Sequence, residues 1–323
     1  MGRKKSEETI GDYLIKKKDL QFVSTGCAVL NCVLGGGYPL GRVVNIVGDK
    51  STGKTNLAIE ALANFVREYP EGIPYYIEAE AAFDIDYAEV LGMPIDKVKF
   101  MDDVDTVELL FERLIQIITE HGDNGTPAFV VVDSLDALSD KSEMEREIDK
   151  GTYGVEKARK MSELFRRLVK KIEKTNVCLF VINQIRDKIG VMFGEKHSRS
   201  GGKALDFYAS QILWLSEVKK ITKTIKGIDR PIGIIVKAKC KKNKIGLPFR
   251  ECQFPIIFGY GIDDITANLE FLKGVKGALE ELNITDDDLK NITKELEVKI
   301  AEHVVKVWNE TEEGFLPKRR KYM

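Results

Sequence analysis

Apolar runs alternate with amphipathic segments along the chain from Arg42 to Gln184. Three segments repeat apolar residues at helical spacing: 57–66, VELLFERLIQIITEH at 107–121 and ARKMSELFRRLVKKIEK at 158–174. Four runs have the continuous apolar character of strands that are buried on both faces: RVVNIV at 42–47, YYIEAE at 75–80, AFVVVDS at 128–134 and VCLFVINQ at 177–184. This alternation predicts an α/β fold with a mostly parallel central sheet and helices on both faces.

The pattern changes on both sides of this region. After Ala209, three segments predict hairpin-joined strands beside the sheet: QILWLSEVKKITKTIK, PIGIIVKAKCKK and ECQFPIIF. From Ile265 onwards the chain has helical patterns and ends in the basic PKRRKYM. Near the start, TIGDYLIKKKD places Ile10, Tyr13 and Leu14 on one face of a short helix. So narrow an apolar stripe needs a partner, which is either the chain's own domain or a neighbouring subunit.

Composition and charge narrow the class of protein. Of the 323 residues, 43% are hydrophobic and 31% are charged, which is ordinary for a folded domain. The formal net charge of −1 does not indicate nucleic-acid binding, so any such site has to be local. The five cysteines form no CxxC or CxxH pair, which favours buried thiols in a reducing compartment. No apolar run approaches the roughly 18 residues of a membrane span, so we expect a cytoplasmic protein without membrane contact.

A phosphate-loop pattern follows the first strand of the α/β region. GDKSTGKT, at residues 48–55, stands between a predicted strand and a predicted helix, which is the context that this pattern requires. Its backbone amides are expected to hold the phosphates of ATP, with Lys54 at the β- and γ-phosphates and the Thr55 hydroxyl on Mg²⁺. The predicted nucleotide-binding residues here are Gly48, Asp49, Lys50, Ser51, Thr52, Gly53, Lys54, Thr55 and Asn56.

Three polar side chains stand where other predicted strands end. Asp133 ends AFVVVD, and a carboxylate at that edge of a parallel sheet either holds magnesium through water or caps the next turn. Glu80 ends YYIEAE and is the expected group that activates the attacking water, with Glu78 on the same strand face as its competitor. Gln184 ends VCLFVINQ, where its amide can contact the γ-phosphate or simply bond to backbone.

Directly after Gln184, an unusual segment combines glycines, charges and large apolar residues. QIRDKIGVMF at 184–193 and GEKHSRSGG at 194–202 have the glycines and charges of a surface loop. Ile189, Val191, Met192 and Phe193 are more typical of a core. A loop that inserts its apolar side chains into a partner accounts for both features.

Together these residues resemble the RecA family of DNA strand-exchange ATPases. The resemblance covers about residues 20–262, with these motifs in the family's order: STG, GRVVNIVGDKSTGKT, EAEAAFDIDYAEVLG, VVVDSLDAL, EMEREI, NQIRDKIGVMFG, SGGKALDFYAS and KNKIGLPF. Phosphate loops occur in many ATPases, whereas NQIRDKIGVMFG followed by GGKALDFYAS is far more specific. The resemblance implies a RecA-like ATPase core at 23–263, an N-terminal oligomerisation arm at 1–22 and a small helical C-terminal domain with a basic tail at 264–323.

The resemblance also implies roles for particular residues. Glu80 falls on the family's catalytic glutamate, and Asp84 and Tyr87 fall where the family holds the adenine. Lys242 and Lys244 match the pair that contacts the phosphates bound by the neighbouring subunit, although their lysine-rich surroundings are also typical of a solvated face. Phe207, which is an ordinary core residue by pattern alone, matches the position that transmits the nucleotide state between subunits.

Two segments are similar to the family's DNA-binding loops, at 147–154 and 186–202. Basic side chains and glycine amides there can hold phosphates, and apolar ones can wedge between bases. Tyr153 stands where bacterial relatives commonly carry methionine, and the C-terminal residues depart from the bacterial pattern. The predicted DNA-binding residues are Tyr153, Arg159, Arg186, Ile189, Gly201, Gly202 and Lys203.

The resemblance therefore implies an ATP-dependent recombinase that forms a helical filament on single-stranded DNA and exchanges strands with a homologous duplex. A mediator or a single-strand-binding protein is a further possible partner. The alternatives are a nucleotide-gated accessory protein, a ring-forming helicase and a generic ATPase or small-molecule kinase. An intact Lys54, Glu80 and Asp133 argue against the first, the short segment before the core argues against the second, and the loop at 186–202 argues against the third.

Overall fold

The computed structural model describes residues 20–141, 154–187, 197–198, 202–317 and 319. Most of the N-terminal arm and of the two loops predicted to bind DNA lie outside these residues. Thirteen strands are described: β1 Phe22–Val23, β2 Tyr38–Pro39, β3 Val43–Gly48, β4 Ile73–Glu78, β5 Lys99–Met101, β6 Ala128–Asp133, β7 Val177–Gln184, β8 Arg186–Asp187, β9 His197–Ser198, β10 Gln211–Ile225, β11 Ile228–Asn243, β12 Glu251–Ile257 and β13 Gly261–Ile262.

The structure describes ten α-helices and one short 3-10 helix. One short 3-10 turn, Ile95–Lys97, stands before β5. The α-helices are α1 Ala28–Leu34, α2 Lys54–Glu68, α3 Ile85–Val90, α4 Val107–Asn124, α5 Gly154–Ile172, α6 Gly202–Tyr208, α7 Asp264–Gly274, α8 Ala278–Leu282, α9 Asp286–Lys290 and α10 Lys294–Phe315. In the described part of the chain, no helix is both long enough and apolar enough to cross a membrane.

Nine strands form one mixed sheet in the order β13-β12-β11-β10-β3-β7-β6-β4-β5. The strands from β10 to β5 run parallel, and β11, β12 and β13 add antiparallel strands at one side. The mostly parallel sheet with an antiparallel extension is therefore confirmed. Because the parallel strands all end at the same side, the sheet has a carboxyl edge and an amino edge, and ligands of such sheets bind at the carboxyl edge.

The sheet separates two hydrophobic clusters. Alternate residues of the buried strands point to opposite faces, so Val44 and Ile46 belong to one cluster, while Val43 and Val47 belong to the other. The first cluster packs against α1, α2 and the C-terminal helices, and the second packs against α4, α5 and α6. Helices on both faces explain why the central strands are apolar throughout.

The C-terminal helices share a hydrophobic core with the α/β region. Ile300, Val304 and Val307 of α10 are buried in the same cluster as Val29 and Leu30 of α1. The bidentate pair between Arg250 and Glu312 adds a further link between the two regions. The helical character predicted from Ile265 onwards is confirmed for the described residues, whereas the predicted helical segment NLEFLKGVKGALEEL is divided into α7 and α8 by a break at Val275–Gly277.

Candidate active site

The phosphate loop lies between β3 and α2, at the carboxyl edge of the sheet. Gly53 precedes the helix in a left-handed conformation with a φ of 83° and places no side chain over the helix N-terminus. A Cβ atom at Gly53 would lie 2.2 Å from Cδ1 of Ile256, so the Ile256 side chain would have to move, and the positive φ by itself favours glycine here. Lys54 is buried and its Nζ donates to the backbone oxygen of Asp49 at 2.6 Å. Burial lowers the pKa of Lys54 while the nearby Asp133 opposes that shift.

Thr55 and Asp133 lie together beside this loop. The Thr55 hydroxyl donates to Oδ2 of Asp133 at 2.9 Å, and the Tyr76 hydroxyl donates to the same oxygen at 2.8 Å. Asp133 is only 8% exposed, and burial raises its pKa against the effect of these two hydrogen bonds. A hydroxyl and a carboxylate are the oxygen ligands that Mg²⁺ prefers. The donor set therefore fits a magnesium ion, and both residues stay predicted ligands.

Glu78 and Glu80 have different surroundings. Glu78 ends β4, is 7% exposed and accepts hydrogen bonds from the backbone N–H groups of Glu80, Ala81 and Ala82. Glu80 lies two residues beyond the observed end of β4, although the sequence pattern extended the strand to it. Its side chain is exposed, and its Oε1 accepts from Ser134 at 2.5 Å and from Gln184 at 2.7 Å. Glu80 is thus the more exposed of the two carboxylates, and its catalytic role stays a prediction.

Gln184 connects the phosphate loop, Glu80 and the start of the loop at 186–202 that is predicted to bind DNA. Its strand β7 pairs with β3, and Gln184 lies opposite Gly48. Its backbone N–H donates to Asp136 at 2.6 Å, and the N–H of Ile185 donates to the oxygen of Gly48 at 3.3 Å. The start of the loop at 186–202 is therefore joined to Glu80 by one side-chain contact and to Gly48 by one backbone contact.

An open cleft of about 430 Å³ lies next to the phosphate loop. Tyr87 contributes to one wall, and its hydroxyl accepts from the Asn56 amide at 3.3 Å. Asp84 is exposed and caps α3 by accepting the N–H of Tyr87 at 2.9 Å. Adenine contacts by Asp84 and Tyr87 stay predictions. The full lining is Ser51, Gly53, Asn56, Tyr87, Glu217, Lys220, Pro231, Ile234, Ile256 and Phe258.

Lys242 lies at the amino edge, away from its own phosphate loop. It pairs with Ile212, which pairs with Asn45, three residues before Gly48 on β3. At about 3.3 Å per residue, Lys242 therefore lies about 10 Å from the carboxyl end of β3, measured along the strand. The Lys242 Nζ donates to the backbone oxygens of Asp206 and Phe207 at 2.6 and 2.8 Å. Burial lowers the pKa of Lys242 to about 8, and the neighbouring charge of Lys244 adds to that shift.

Two further residues of the amino edge are open to contact. Lys244 is exposed, and its backbone N–H bonds to the oxygen of Ser210 at the start of β10. Phe207 has a 72% exposed side chain, so the core position expected from pattern alone is wrong. The phosphate loop and the three residues predicted to act between subunits therefore occupy opposite edges of the same sheet.

The structure describes only the ends of the loops predicted to bind DNA. A two-residue ladder pairs Arg186 with Ser198 and Asp187 with His197, which closes the base of the second loop. Gly202 and Lys203 begin α6, and Arg159 is exposed on α5. Tyr153, Ile189 and Gly201 lie outside the described residues, as do 147–153 of the first loop.

Several groups in this site have no signal in the local sequence pattern. Tyr76 and Ser134 contact Asp133 and Glu80, but an alternating strand pattern does not show which polar side chains will meet. Ile256 and Phe258 form the far wall of the cleft although they lie about 200 positions after the phosphate loop. Only the pairing of β10, β11 and β12 brings them there.

Comparison with known proteins identifies relatives of this chain. The family model described as the RecA N-terminal domain matches residues 4–263. A protein named Protein RecA from Delftia acidovorans is 41% identical over 246 residues, which cover 76% of this chain and 64% of that protein. Protein RecA from Porphyromonas gingivalis is 36% identical over 286 residues, or 84% of this chain and 81% of that protein. Protein RecA from an Azoarcus species is 40% identical over 247 residues, with 76% and 68% covered.

Proposed function

This chain belongs to the RecA family, and from that premise we propose that it is an ATP-dependent recombinase. It forms a helical filament on single-stranded DNA, pairs that strand with a homologous duplex and exchanges strands. Binding and hydrolysis of ATP control its affinity for DNA. The observation that carries the proposal is the position of Gln184, whose side chain contacts the candidate catalytic Glu80 while its backbone leads directly into the loop at 186–202.

In this proposal, Glu80 orients and deprotonates the attacking water. Its side chain is exposed, and its Oε1 accepts hydrogen bonds from Ser134 and Gln184. Lys54 and the amides at the start of α2 hold the phosphates. Thr55 and Asp133 hold Mg²⁺, which neutralises charge on the phosphates when bound.

The active site is completed by a neighbouring subunit. Lys242 and Lys244 cannot approach their own phosphate loop, because β11 carries them to the amino edge. When subunits stack head to tail, the amino edge of one faces the carboxyl edge of the next. Such heterologous contacts build open helical assemblies when the rotation does not close a ring. Lys242 and Lys244 then contact the phosphates bound by the neighbour, and Phe207 packs at the same interface.

ATP turnover with and without single-stranded DNA, over a series of protein concentrations, tests the proposed function. DNA is expected to stimulate turnover strongly, and the stimulation should rise cooperatively with protein because each site needs a neighbour. Turnover that is independent of DNA at every concentration would contradict the proposal and favour a motor or a generic ATPase.

The double variant Arg186→Ala, Ile189→Ala tests the second loop. We expect its affinity for single-stranded DNA to fall by at least about tenfold, since a phosphate contact and a wedge between bases are both lost. The melting temperature should stay unchanged, because the proposed partner of both side chains is DNA and not the rest of the protein. A binding isotherm equal to that of the wild type would remove this loop from the DNA interface.

A further inference from the structure

Glu60 lies on α2, in the second turn after the phosphate loop. Its Oε1 accepts the backbone N–H of Ile262 at 2.8 Å. Gly261, with a φ of 100°, leaves room for this contact, because a Cβ atom there would lie 2.5 Å from the same oxygen. The other carboxylate oxygen, Oε2, lies 3.5 Å from the Cβ position of Gly26. One carboxylate thus ties the phosphate-loop helix to the β12–β13 turn.

The turn fixed in this way forms part of the nucleotide cleft. Residues 258–260 connect β12 to β13, and Ile256 pairs with Ile262 across the two strands. Ile256 and Phe258 line the cleft opposite Asn56 and Tyr87, and Phe258 is 54% exposed. A displacement of Ile262 therefore moves the wall that faces the nucleoside.

We infer that Glu60 is a positioning residue for nucleotide binding: its carboxylate holds the turn 258–262 against the helix that begins at the phosphate loop. This inference rests on the proposed function, since it assumes that the cleft receives the nucleoside of ATP. Glu60 itself does not contact the nucleotide. It acts through the backbone of Ile262 and the side chains that the turn carries.

The charge on Glu60 changes the strength of this contact. Burial raises the pKa of Glu60 from its usual 4.5 to about 7, the N–H of Ile262 and the charge of Arg67 oppose the shift, and the charge of Asp264 adds to it. A carboxylate accepts a hydrogen bond more strongly than a neutral carboxyl group does. The hydrogen bond from Ile262 to Glu60 is therefore stronger above pH 7 than below it, while the burial that raises the pKa of Glu60 acts against the folded state as a whole. The titratable groups that face Glu60 are Cys27, Tyr38, Arg67, Tyr260 and Asp264.

Stability and nucleotide affinity respond to pH in opposite directions under this account. A carboxyl group whose pKa is raised on folding contributes stability that is complete below the unfolded value, near 4.5, and is lost as pH rises through about 7. Affinity, in contrast, rises through the same window because the ionised group holds the turn. If Glu60 only stabilised the fold, the affinity for the nucleotide would fall together with stability as pH rises through about 7.

The test compares wild type, Glu60→Gln and Glu60→Ala by titration with a fluorescent ATP analogue and Mg²⁺, without DNA, on both sides of pH 7. From low to high pH, the affinity of the wild type relative to Glu60→Gln should rise about fivefold, as expected for replacing a neutral acceptor by a charged one. Glu60→Ala should bind about tenfold more weakly than the wild type above pH 7, because the buried N–H of Ile262 loses its acceptor.

Glu68→Gln is the matched control. Glu68 lies on the same helix, accepts the N–H of Ser24 at 3.1 Å and also has a pKa raised by burial, but it does not contact the turn. Its pH profile of affinity should follow the wild type. Identical pH profiles for wild type and Glu60→Gln would overturn the inference, even if Glu60→Ala does not fold. A wild type that binds no ATP analogue would instead contradict the proposed function.

Discussion

Replacing Glu80 by glutamine is expected to lower ATP turnover by about 10²- to 10⁴-fold, the usual contribution of a general base. Glutamine has the same shape and still accepts one hydrogen bond from Ser134 or Gln184, but it cannot take a proton from water. Because Glu80 is exposed and lies beyond β4, the fold should be unaffected. Nucleotide binding and filaments on DNA should remain. Single-turnover hydrolysis and a nucleotide-binding titration check both expectations.

Glu78→Gln is the control that separates the two neighbouring carboxylates. Glu78 accepts three backbone N–H groups, so its charge supports the segment that follows β4. Hydrogen bonds to charged groups contribute about 1.5–3 kcal/mol each, so this variant should melt at a clearly lower temperature than Glu80→Gln. Wild-type turnover in Glu80→Gln would remove Glu80 from the catalytic role.

Lys242→Ala is expected to reduce DNA-stimulated turnover by about 10²- to 10³-fold, the effect of removing one group that stabilises developing charge. ATP affinity of the isolated subunit should change little, since Lys242 lies at the amino edge and not beside its own phosphate loop. Steady-state turnover on single-stranded DNA and ATP titration without DNA measure the two quantities. A loss of ATP affinity equal to the loss of turnover would contradict a role in the neighbour's site.

Lys273→Ala serves as the control for the loss of one lysine. Lys273 is exposed on α7 and pairs with Glu270 within the same helix. Surface pairs of this kind contribute about 0–1 kcal/mol. Turnover and DNA binding of this variant should match the wild type.

The sequence was most informative where local pattern and local chemistry coincide. The strand VCLFVINQ was bounded correctly because its apolar run is continuous and a polar residue follows it. The phosphate loop was predicted from its spacing together with the flanking strand and helix, since its glycines, Lys54 and Thr55 lie within eight consecutive residues between β3 and α2. The order of alternating strands and helices was sufficient to predict the parallel part of the sheet.

Features that depend on distant pairing were not predictable in this way. Glu80 was expected at the end of a strand, yet β4 stops at Glu78, which uses its carboxylate to accept the next backbone N–H groups. The contact between Glu60 and Ile262 joins residues 202 positions apart, and no periodic pattern of apolar residues in the sequence predicts it. Phe207 lies near the end of α6 and is exposed. The spacing of apolar residues along a helix does not distinguish a side chain at an interface from one in the core, so the sequence did not predict this exposure.

The central claim is that two subunits share each active site, and mixing two inactive variants tests it directly. In a random equal mixture of Glu80→Gln and Lys242→Ala, about one quarter of the head-to-tail interfaces combine an intact Glu80 with an intact Lys242. DNA-stimulated turnover should therefore return to about one quarter of the wild-type value, although each variant alone is nearly inactive. If the mixture is no more active than the mean of the two variants, Glu80 and Lys242 do not act across an interface between neighbouring subunits.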